Sequence, residues 1–381
     1  MTAPGTIRVS IDASAVPANP AGAGRYVIDL VAALRRRADT ELTVICRQGD
    51  EVRWRAGGSG RPVLGAAPAR RPLRLAWEQA RLPRLLNRLP VDVHHSPHYT
   101  MPERAQVPCV VTVHDLTFLE NPSWHEPVKV AFFRRALRVA ATRADALIAV
   151  SAATATRLEA VLSPKAPIHV IPHGVDAERL YPCDPADFEA GEADRATRRG
   201  LAVEGPYLLF VGTIEPRKDV PSLVRAFDRL AATHPDVTLV LAGAPGWGTA
   251  AVDEAIASAV HNNRIQRLGY VSEDEKAALL KGAAAVAYPS LEEGFGLPAL
   301  EALACGVPLV TTSGSAMEEI VGPAALLVEP GDIGALTDAI EAVIGGGADV
   351  DRRRLSGLEI ASRYTWEASA AAHTVIYRSV M

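Results

Sequence analysis

The run Glu293-Gly294-Phe295-Gly296-Leu297-Pro298-Ala299-Leu300-Glu301 follows a mostly apolar stretch, residues 284–290. This order predicts a strand, a glycine-containing loop and then a helix that begins near Pro298. The glycines allow backbone N–H groups to approach a ligand, and the start of a helix favours an anion. The second glutamate is expected in the first turn of that helix, so two carboxylates flank an amide-rich loop. Such a set suits a sugar phosphate, although a corner with two solvated acids has the same pattern.

The bulk composition is that of a globular α/β protein. The chain has 381 residues, enough for two domains of ordinary size, and 48% of them are hydrophobic and 22% charged. It has no apolar run of about 18 residues, so no transmembrane helix is expected. Residues 1–9 lack a basic start followed by an apolar core, which favours a cytoplasmic protein, either free or peripheral on the inner face of the plasma membrane. The four cysteines are scattered without metal-ligand spacing, so no metal site is expected.

Charge is divided unequally along the chain. Residues 1–172 carry a net charge of +9 and the remaining residues −13, which gives −4 overall. The stretch 69–90 holds six arginines interleaved with leucines, and 129–138 is a second basic patch that contains phenylalanines. Such stretches can lie on an anionic membrane surface, or they can be the solvated face of helices that pack on a core. The acidic chain as a whole argues against nucleic acid as a partner.

Short apolar runs alternate with helical stretches throughout the chain, which predicts parallel, doubly wound sheets. Residues 1–175 are expected to form one Rossmann-like domain and residues 205–363 a second. The polar, proline-containing segment 176–204 is the expected linker, and an alanine-rich helix is expected in the tail, 364–381. Open α/β sheets bind ligands at the carboxyl ends of their strands, so the active site is expected in a cleft between two facing sheets.

Several polar residues follow predicted strands. Arg217 and Lys218 lie between the strand candidate 207–211 and a helix expected from Pro221, a position well suited to a diphosphate. A solvated basic pair is the alternative interpretation. His114 ends an apolar run in the same way, and a histidine there can reach a ligand or be bonded locally.

The loop Gly22-Ala23-Gly24-Arg25-Tyr26 follows the first predicted strand and precedes a helix, so it is a candidate phosphate loop. Val27 stands where the dinucleotide pattern Gly-x-Gly-x-x-Gly requires its third glycine. This departure argues against an NAD-dependent dehydrogenase.

Taken together, these segments resemble the retaining GT-B glycosyltransferases of glycosyltransferase family 4, in which two glutamates separated by seven residues bracket a Gly-Phe-Gly. Further motifs follow in the family's order over nearly the whole chain. They are residues 22–26, 113–116, 150–151, 171–176, 211–219, 240–243, 268–272 and 304–308. The resemblance implies an α/β protein of GT-B fold, with two Rossmann-like domains whose parallel sheets face across a cleft. It also implies a C-terminal helix that packs back on the N-terminal domain.

The resemblance further implies roles for single residues. Arg217 and Lys218 would neutralise the leaving nucleoside diphosphate, so no metal or other cofactor is expected. Glu293 and His114 would contact the transferred sugar and complete the catalytic set, and Glu301 would bind the ribose hydroxyls. The other expected donor contacts are Gly22, Gly24, Gly212, Tyr270, Val271, Gly294, Phe295, Gly296 and Leu297. The expected acceptor contacts are Ser96, His98, Tyr99 and Arg25.

The reaction implied is transfer of a hexose from a nucleotide sugar to an acceptor hydroxyl with retention of configuration. Residues 214–218 and 113–115 look most like bacterial mannosyltransferases of polysaccharide assembly, which favours GDP-mannose over a UDP-sugar. A glycan or a lipid-linked molecule is the expected acceptor. Two other classes stay open. A GT-B-fold sugar-nucleotide epimerase would need no acceptor, and a non-catalytic sugar-binding scaffold would have no need of both cations and both glutamates.

Overall fold

The computed structural model describes residues 5–55, 62–183 and 188–381. The chain divides into two compact units. The first unit comprises the chain up to Gly174 together with Trp366–Met381, and the second comprises Val175–Thr365. Each unit contains a parallel sheet with helices packed on it, which confirms the predicted doubly wound α/β fold.

Seven parallel strands form the sheet of the first unit, in the order β3-β2-β1-β4-β5-β6-β7. They are β1 Ile7–Asp12, β2 Thr40–Arg47, β3 Val63–Ala67, β4 Val93–Ser96, β5 Cys109–Val113, β6 Ala146–Ala149 and β7 Ile168–Val170. The helices before residue 174 are α1 Ala23–Arg36, α2 Glu51–Arg55, α3 Arg71–Ala80, α4 Leu82–Leu86, α5 Thr117–Glu120, α6 Pro127–Arg143 and α7 Ala152–Leu162. Strands β4, β5 and β6 are buried along their whole length, as expected where helices cover both faces of a parallel sheet.

Six parallel strands form the sheet of the second unit, in the order β10-β9-β8-β11-β12-β13. They are β8 Tyr207–Val211, β9 Thr238–Ala242, β10 Ile265–Gly269, β11 Ala285–Tyr288, β12 Leu309–Thr312 and β13 Ala325–Val328. The helices are α8 Phe188–Gly200, α9 Val220–Leu230, α10 Ala250–Ser258, α11 Glu273–Gly282, α12 Leu297–Ala304, α13 Ala316–Val321, α14 Ile333–Gly345 and α15 Ala348–Ser362. The winding reverses between β8 and β11, and between β1 and β4 in the first sheet. Ligands of open α/β sheets bind at such points.

The segment 176–204, expected to be a linker, belongs instead to the second unit and contains α8. Arg198 of α8 donates from Nη1 to the backbone oxygen of Ala278 in α11 at 2.9 Å. Lys281 of α11 pairs with Asp194 of α8 at 3.3 Å. This helix was not predicted from the sequence because it is rich in charged residues. Most of its described side chains are exposed or half-buried.

Helix α15 was also not predicted from the sequence. It buries Val350, Gly357 and Ala361, and the rest of its surface is more exposed. A Cβ at Gly357 would lie 2.9 Å from Leu303 Cδ2, so α15 approaches α12 closely at this point. A stripe of three small residues is too narrow to produce a clear apolar periodicity.

The last helix, α16 (Trp366–Ser379), packs on α1 within the first unit. It completes a buried chain of hydrogen bonds. Tyr377 OH lies 2.7 Å from His95 Nδ1, and His95 Nε2 lies 2.8 Å from Thr112 Oγ1. Tyr26 OH lies 2.9 Å from both Thr112 Oγ1 and His373 Nε2. These uncharged groups satisfy one another where water is excluded.

Burial keeps titratable groups of the first unit neutral. It lowers the pKa of His94 to about 4 against an opposing effect of Asp12. It lowers the pKa of His373 to about 4 despite a hydrogen bond to the Ser369 oxygen. Burial acts in the other direction on an acid, because it raises the pKa of Glu78 to about 8, and Asp12 adds to the increase. The folded unit therefore holds neutral groups that carry charge in the unfolded chain.

We expect His94 to make the protein less stable as the pH falls from 6.5 towards 4. The unfolded histidine titrates near 6.5, so over this window the unfolded state binds more protons than the folded state. His94→Asn keeps a polar atom beside Ser10 Oγ, which lies 2.9 Å from His94 Nδ1, but it does not titrate. The substitution should reduce the loss of unfolding free energy by up to about 3 kcal/mol, at about 1.4 kcal/mol per pH unit, in urea unfolding at stepped pH.

His234→Asn is the matched control, because His234 Nδ1 also lies beside a hydroxyl, that of Thr233, at 3.0 Å. It shows how far removal of a histidine from outside the first unit alters the measured pH slope. Equal pH slopes for wild type and His94→Asn would contradict the burial argument. Glu78, whose pKa is raised, contributes stability that is complete below pH 4.5 and is lost as the pH rises through 8. Variants are therefore compared with wild type at each pH.

Candidate active site

Two loops leave the carboxyl ends of the neighbouring strands β8 and β11. The first runs from Gly212 through the 3₁₀ turn Pro216–Lys218 to α9. The second runs from Pro289 to Gly296, which precedes α12 in a left-handed conformation with a φ of 91°. The N–H of Leu291 donates to the backbone oxygen of Arg217 at 2.7 Å. The two loops are therefore bonded to each other.

Close packing against a glycine fixes each loop. A Cβ at Gly243, which follows β9, would lie 1.9 Å from the backbone oxygen of Gly212. A Cβ at Gly296 would lie 2.7 Å from Met317 Cγ, and the positive φ there is strained for other residues. This packing is a structural reason for Gly243 and Gly296 that is independent of any ligand.

Glu293 is the centre of a buried ion cluster. Its Oε2 lies 2.7 Å from Arg217 Nη1, and its Oε1 pairs with Lys218 Nζ. Oε1 also accepts hydrogen bonds from Tyr288 OH at 3.0 Å and from Ser290 Oγ at 2.8 Å. Glu293 is 7% exposed and Lys218 is 5% exposed. The fold thus brings Arg217, Lys218 and Glu293, three residues predicted to act together, into direct contact.

The ionisation of this cluster follows from its mutual contacts. Burial alone would raise the pKa of Glu293, but Arg217 and Lys218 lower it to about 2. Burial, and then Arg217, lower the pKa of Lys218, whereas Glu293 opposes this change. Burial, and then Glu293, raise the pKa of Tyr288, which therefore stays a hydroxyl donor. Glu293 is consequently an ionised carboxylate at neutral pH.

Three members of the cluster were missed as site residues from the sequence, namely Glu215, Tyr288 and Ser290. Glu215 Oε1 lies 2.6 Å from Arg217 Nε, so two acids face two cations. Tyr288 OH also bonds Lys218 Nζ. The available signal was position, because Tyr288 ends β11 and a polar side chain at the carboxyl end of a strand can reach a ligand.

Glu301 lies in a second buried pair. Lys276 Nζ donates to Glu301 Oε1 at 2.6 Å and to Glu273 Oε2 at 2.9 Å. Helix α12 begins at Leu297 rather than Pro298, so Glu301 lies just beyond the first turn, where the sequence placed it within that turn. Gly296 is the N-cap residue, so the helix starts at Leu297, one residue earlier in the chain than expected. Sequence reasoning missed Lys276 because a different helix contributes it.

The remaining donor-side candidates of the second unit lie at the same edge of its sheet. Tyr270 and Val271 follow β10, and Tyr270 is 39% exposed whereas Val271 is buried. Ser272 then caps α11 through a reciprocal pair of hydrogen bonds with Glu275. In the β11–α12 loop, Gly294, Phe295 and Gly296 are buried and Leu297 is half-buried.

The candidates of the first unit lie at the carboxyl ends of its strands. Ser96, His98, Tyr99 and His114 follow or end β4 and β5. His114 Nε2 donates to the backbone oxygen of Pro97 at 2.8 Å, and burial lowers the pKa of His114. The ring centres of His98 and His114 are 5.7 Å apart, and Tyr99 OH accepts from the N–H of Asp115 at 3.1 Å. These four residues therefore share one edge of the first sheet.

The glycine loop 22–26 lies largely within α1, which begins at Ala23. Gly22 precedes the helix with a φ of 46°, whereas Gly24 and Arg25 are in its first turn. Arg25 Nε donates to Asp29 Oδ2 at 2.7 Å, one turn further along the same helix. Arg25 is thus paired with an acid of its own helix, and its contact with an acceptor stays a prediction.

No group of three His, Cys, Asp or Glu side chains in the described part of the chain is arranged to hold a metal ion. An Asp-x-Asp triplet, Asp349-Val350-Asp351, opens α15, and there Arg353 Nε bonds Asp349 Oδ2 at 2.8 Å. Among the described residues, no helix combines the length and apolar character needed to cross a membrane.

Two family models match the chain in succession. "Glycosyltransferase Family 4" matches residues 20–179, and "Glycosyl transferases group 1" matches residues 194–355. The curated relative "O-antigen chain mannosyltransferase B" of Escherichia coli is 28% identical over 72% of this chain and 71% of its own. "Glycogen synthase" of Mycobacterium tuberculosis (strain ATCC 25618 / H37Rv) is 32% identical over 71% of this chain but only 63% of its own, less than two thirds of that protein.

Solved structures share the fold over the whole chain. Sucrose-phosphate synthase from Thermosynechococcus elongatus has a TM-score of 0.79 at 20% identity, with 98% of this chain and 99% of that chain covered. HepE of Anabaena, solved in complex with UDP-glucose, has a TM-score of 0.77 at 20% identity, with 98% and 100% covered. At this identity the likeness shows the fold alone. Together with the two family matches it confirms the predicted enzyme class and fold, and the chain belongs to the GT-B glycosyltransferases of family 4.

Proposed function

We propose that this glycosyltransferase moves a mannosyl group from GDP-mannose to a hydroxyl of a glycan or lipid-linked acceptor, with retention of configuration. The observation that carries the proposal is the buried contact of Arg217 and Lys218 with Glu293 where the second sheet reverses its winding. Cations at this position suit a diphosphate, and a carboxylate beside them suits the hydroxyls of the attached sugar. Similarity to a relative named as a mannosyltransferase supports the choice of sugar.

Stabilising the leaving group is the main chemical task of the proposed site. As the nucleoside diphosphate departs, negative charge grows on its oxygens, and Arg217, Lys218 and the N–H groups at the start of α12 stabilise that charge. Glu293 contacts hydroxyls of the sugar and supports the positive charge at its anomeric carbon. The acceptor hydroxyl attacks the face from which the diphosphate leaves, and the leaving phosphate takes its proton. Because the two cations supply the charge, the proposal includes no metal.

Other candidate residues bind the remaining parts of the substrates in this proposal. Glu301 accepts hydrogen bonds from the ribose, while Tyr270 and Val271 contact the nucleobase. His114 bonds a hydroxyl of the transferred sugar. On the acceptor side, Ser96, His98 and Tyr99 share an edge of the first sheet with His114.

The alternative donor is a UDP-sugar. The structural neighbour solved in complex with UDP-glucose favours it. A thermal-shift screen against GDP-mannose, UDP-glucose, UDP-N-acetylglucosamine, GDP and UDP separates the two. We expect GDP and GDP-mannose to raise the melting temperature, because a ligand at 100 times its Kd adds about 2.7 kcal/mol. Stabilisation by uracil nucleotides alone would indicate a UDP-sugar as the donor in place of GDP-mannose. An unchanged melting temperature with every nucleotide would contradict the proposal. Conversion of GDP-mannose to another sugar nucleotide without acceptor would indicate an epimerase.

We expect Glu293→Gln to weaken transfer and, at the same time, to tighten the binding of free GDP. Without the carboxylate, Arg217 and Lys218 lose an intramolecular anion that competes with the diphosphate. Transfer should fall by about a hundredfold or more, as when one stabilising group of an active site is removed. The affinity for GDP, measured by calorimetry, should rise several-fold.

Glu341→Gln, an exposed acid on α14, is the matched control and should change neither quantity. Weaker GDP binding by Glu293→Gln would show that the carboxylate supports the diphosphate site instead of competing for it. Near-normal transfer would remove Glu293 from the catalytic set.

We further propose that the protein works in the cytoplasm, adsorbed to the inner face of the plasma membrane by electrostatic attraction. The arginines 81, 84 and 88 of the stretch 69–90 are exposed. The apolar side chains Trp77, Leu82 and Leu86 are buried in a core cluster. The apolar face of α3 and α4 therefore packs inward, as in the solvated-face interpretation, and the outward arginines remain for anionic headgroups.

Reversal of these charges, Arg81→Glu, Arg84→Glu and Arg88→Glu, should weaken binding to vesicles that contain anionic lipid. Each basic residue near such a surface contributes about 1 kcal/mol, so co-sedimentation should drop more than tenfold in low salt. Reversal of the exposed Arg352 in the second unit is the control. Unchanged co-sedimentation of the triple variant would contradict membrane adsorption through this face.

A further inference from the structure

Lys276 connects two segments that follow strands of the second sheet. It lies one turn into α11, which follows β10, and its Nζ donates to Glu301 Oε1 of α12 at 2.6 Å. The same Nζ lies 2.9 Å from Glu273 Oε2. Lys276 is 8% exposed and Glu301 is 7% exposed. A single cation therefore ties the start of one helix to a buried carboxylate on another.

Stability is a weak reason for such a pair. Removing both charges from water costs about as much as their attraction returns. Burial would lower the pKa of Lys276, but Glu301 and Glu273 outweigh it and raise the pKa. The ammonium group is thus charged and engaged by two carboxylates, so a diphosphate is not its partner. What the pair does supply is a fixed direction for the carboxylate of Glu301.

We propose that Lys276 is a positioning residue that holds Glu301 for the vicinal hydroxyls of the donor's ribose. The inference rests on the proposed binding of a nucleotide sugar and deepens it. An ionised carboxylate accepts about four hydrogen bonds, so a carboxylate that is paired with an ammonium group can also accept from hydroxyls. An acid beyond the strand ends commonly accepts from ribose hydroxyls in Rossmann-like nucleotide sites.

The arrangement also explains why the acid needs a positioning partner. Glu301 lies beyond the first turn of α12, a helix that begins at Leu297, and its side chain has three rotatable bonds. Lys276 is held in turn by α11, whose first turn is fixed by the reciprocal bonds of Ser272 and Glu275. The segment that carries Tyr270 and Val271 leads directly into this cap. One continuous segment therefore carries both the residues proposed to contact the base, Tyr270 and Val271, and the lysine that orients Glu301 towards the ribose.

The test compares GDP with 2′,3′-dideoxy-GDP, and UDP with its dideoxy analogue, by calorimetry. The base that wild type binds more tightly is used for the variants. Wild type should prefer the natural nucleotide by about tenfold or more, because the dideoxy analogue lacks hydrogen bonds to a charged group. Lys276→Met should lower this preference to below about threefold and leave the affinity for the dideoxy analogue nearly unchanged. Lys276→Arg should restore part of the preference.

Lys281→Met is the matched control, because Lys281 is another little-exposed lysine of α11 that pairs with an acid, Asp194. It should keep the wild-type preference. Glu301→Gln should lose the preference with Lys276 intact, and adding Lys276→Met should reduce it no further. The single variant Glu301→Gln keeps the test decisive even if Lys276→Met fails to fold.

Equal loss of affinity for both nucleotides in Lys276→Met, or an unchanged preference in either variant, would overturn the inference. A wild type that binds both nucleotides equally would overturn it while leaving the donor site in place. A wild type that binds no nucleotide would overturn the proposed function, and the inference with it.

Discussion

The contact of one buried carboxylate with two cations is the constraint on which the candidate active site depends. Each ion taken out of water costs several kcal/mol unless a close partner offsets the loss. Glu293 meets this requirement for Lys218 and shares Arg217 with Glu215. Acids and cations are therefore equal in number in the ligand-free cluster. A diphosphate entering the proposed site would replace a carboxylate partner rather than meet bare cations.

The topology of the sheet makes this contact possible. Strands β8 and β11 are far apart in sequence but adjacent in space, so their following loops meet at one edge. The end of β12 holds the end of β11, because Thr311 Oγ1 donates to the Tyr288 oxygen at 2.8 Å and Thr312 Oγ1 donates to the Ser290 oxygen at 2.5 Å. A shift of β11 by one residue would turn Tyr288 to the opposite face and break the cluster. The geometry of the candidate site thus depends on strand register as much as on the loops.

The sequence was sufficient to predict what depends on local pattern. The alternation of strands and helices, the glycine loop before α12 and the positions of Arg217, Lys218 and Glu293 are all readable from short windows. Contacts between distant elements were not predictable in this way. Lys276 is recognisable as a partner of Glu301 only once α11 and α12 are packed together. Helices α8 and α15 were missed because they bury few side chains, which leaves a weak apolar periodicity.

In the first unit, by contrast, burial keeps several histidines neutral. Burial lowers the pKa of His98 to about 3, and it lowers the pKa of His114 as well. Neutral imidazole has one N–H and one lone pair, and His114 commits its Nε2–H to the Pro97 oxygen. Its Nδ1 is consequently the acceptor. In the proposed reaction a hydroxyl of the sugar must therefore donate to Nδ1, which orients the sugar without placing a positive charge beside its developing cation. A protonated ring would oppose that charge, so the burial that lowers the pKa of His114 is compatible with the proposed role of this residue.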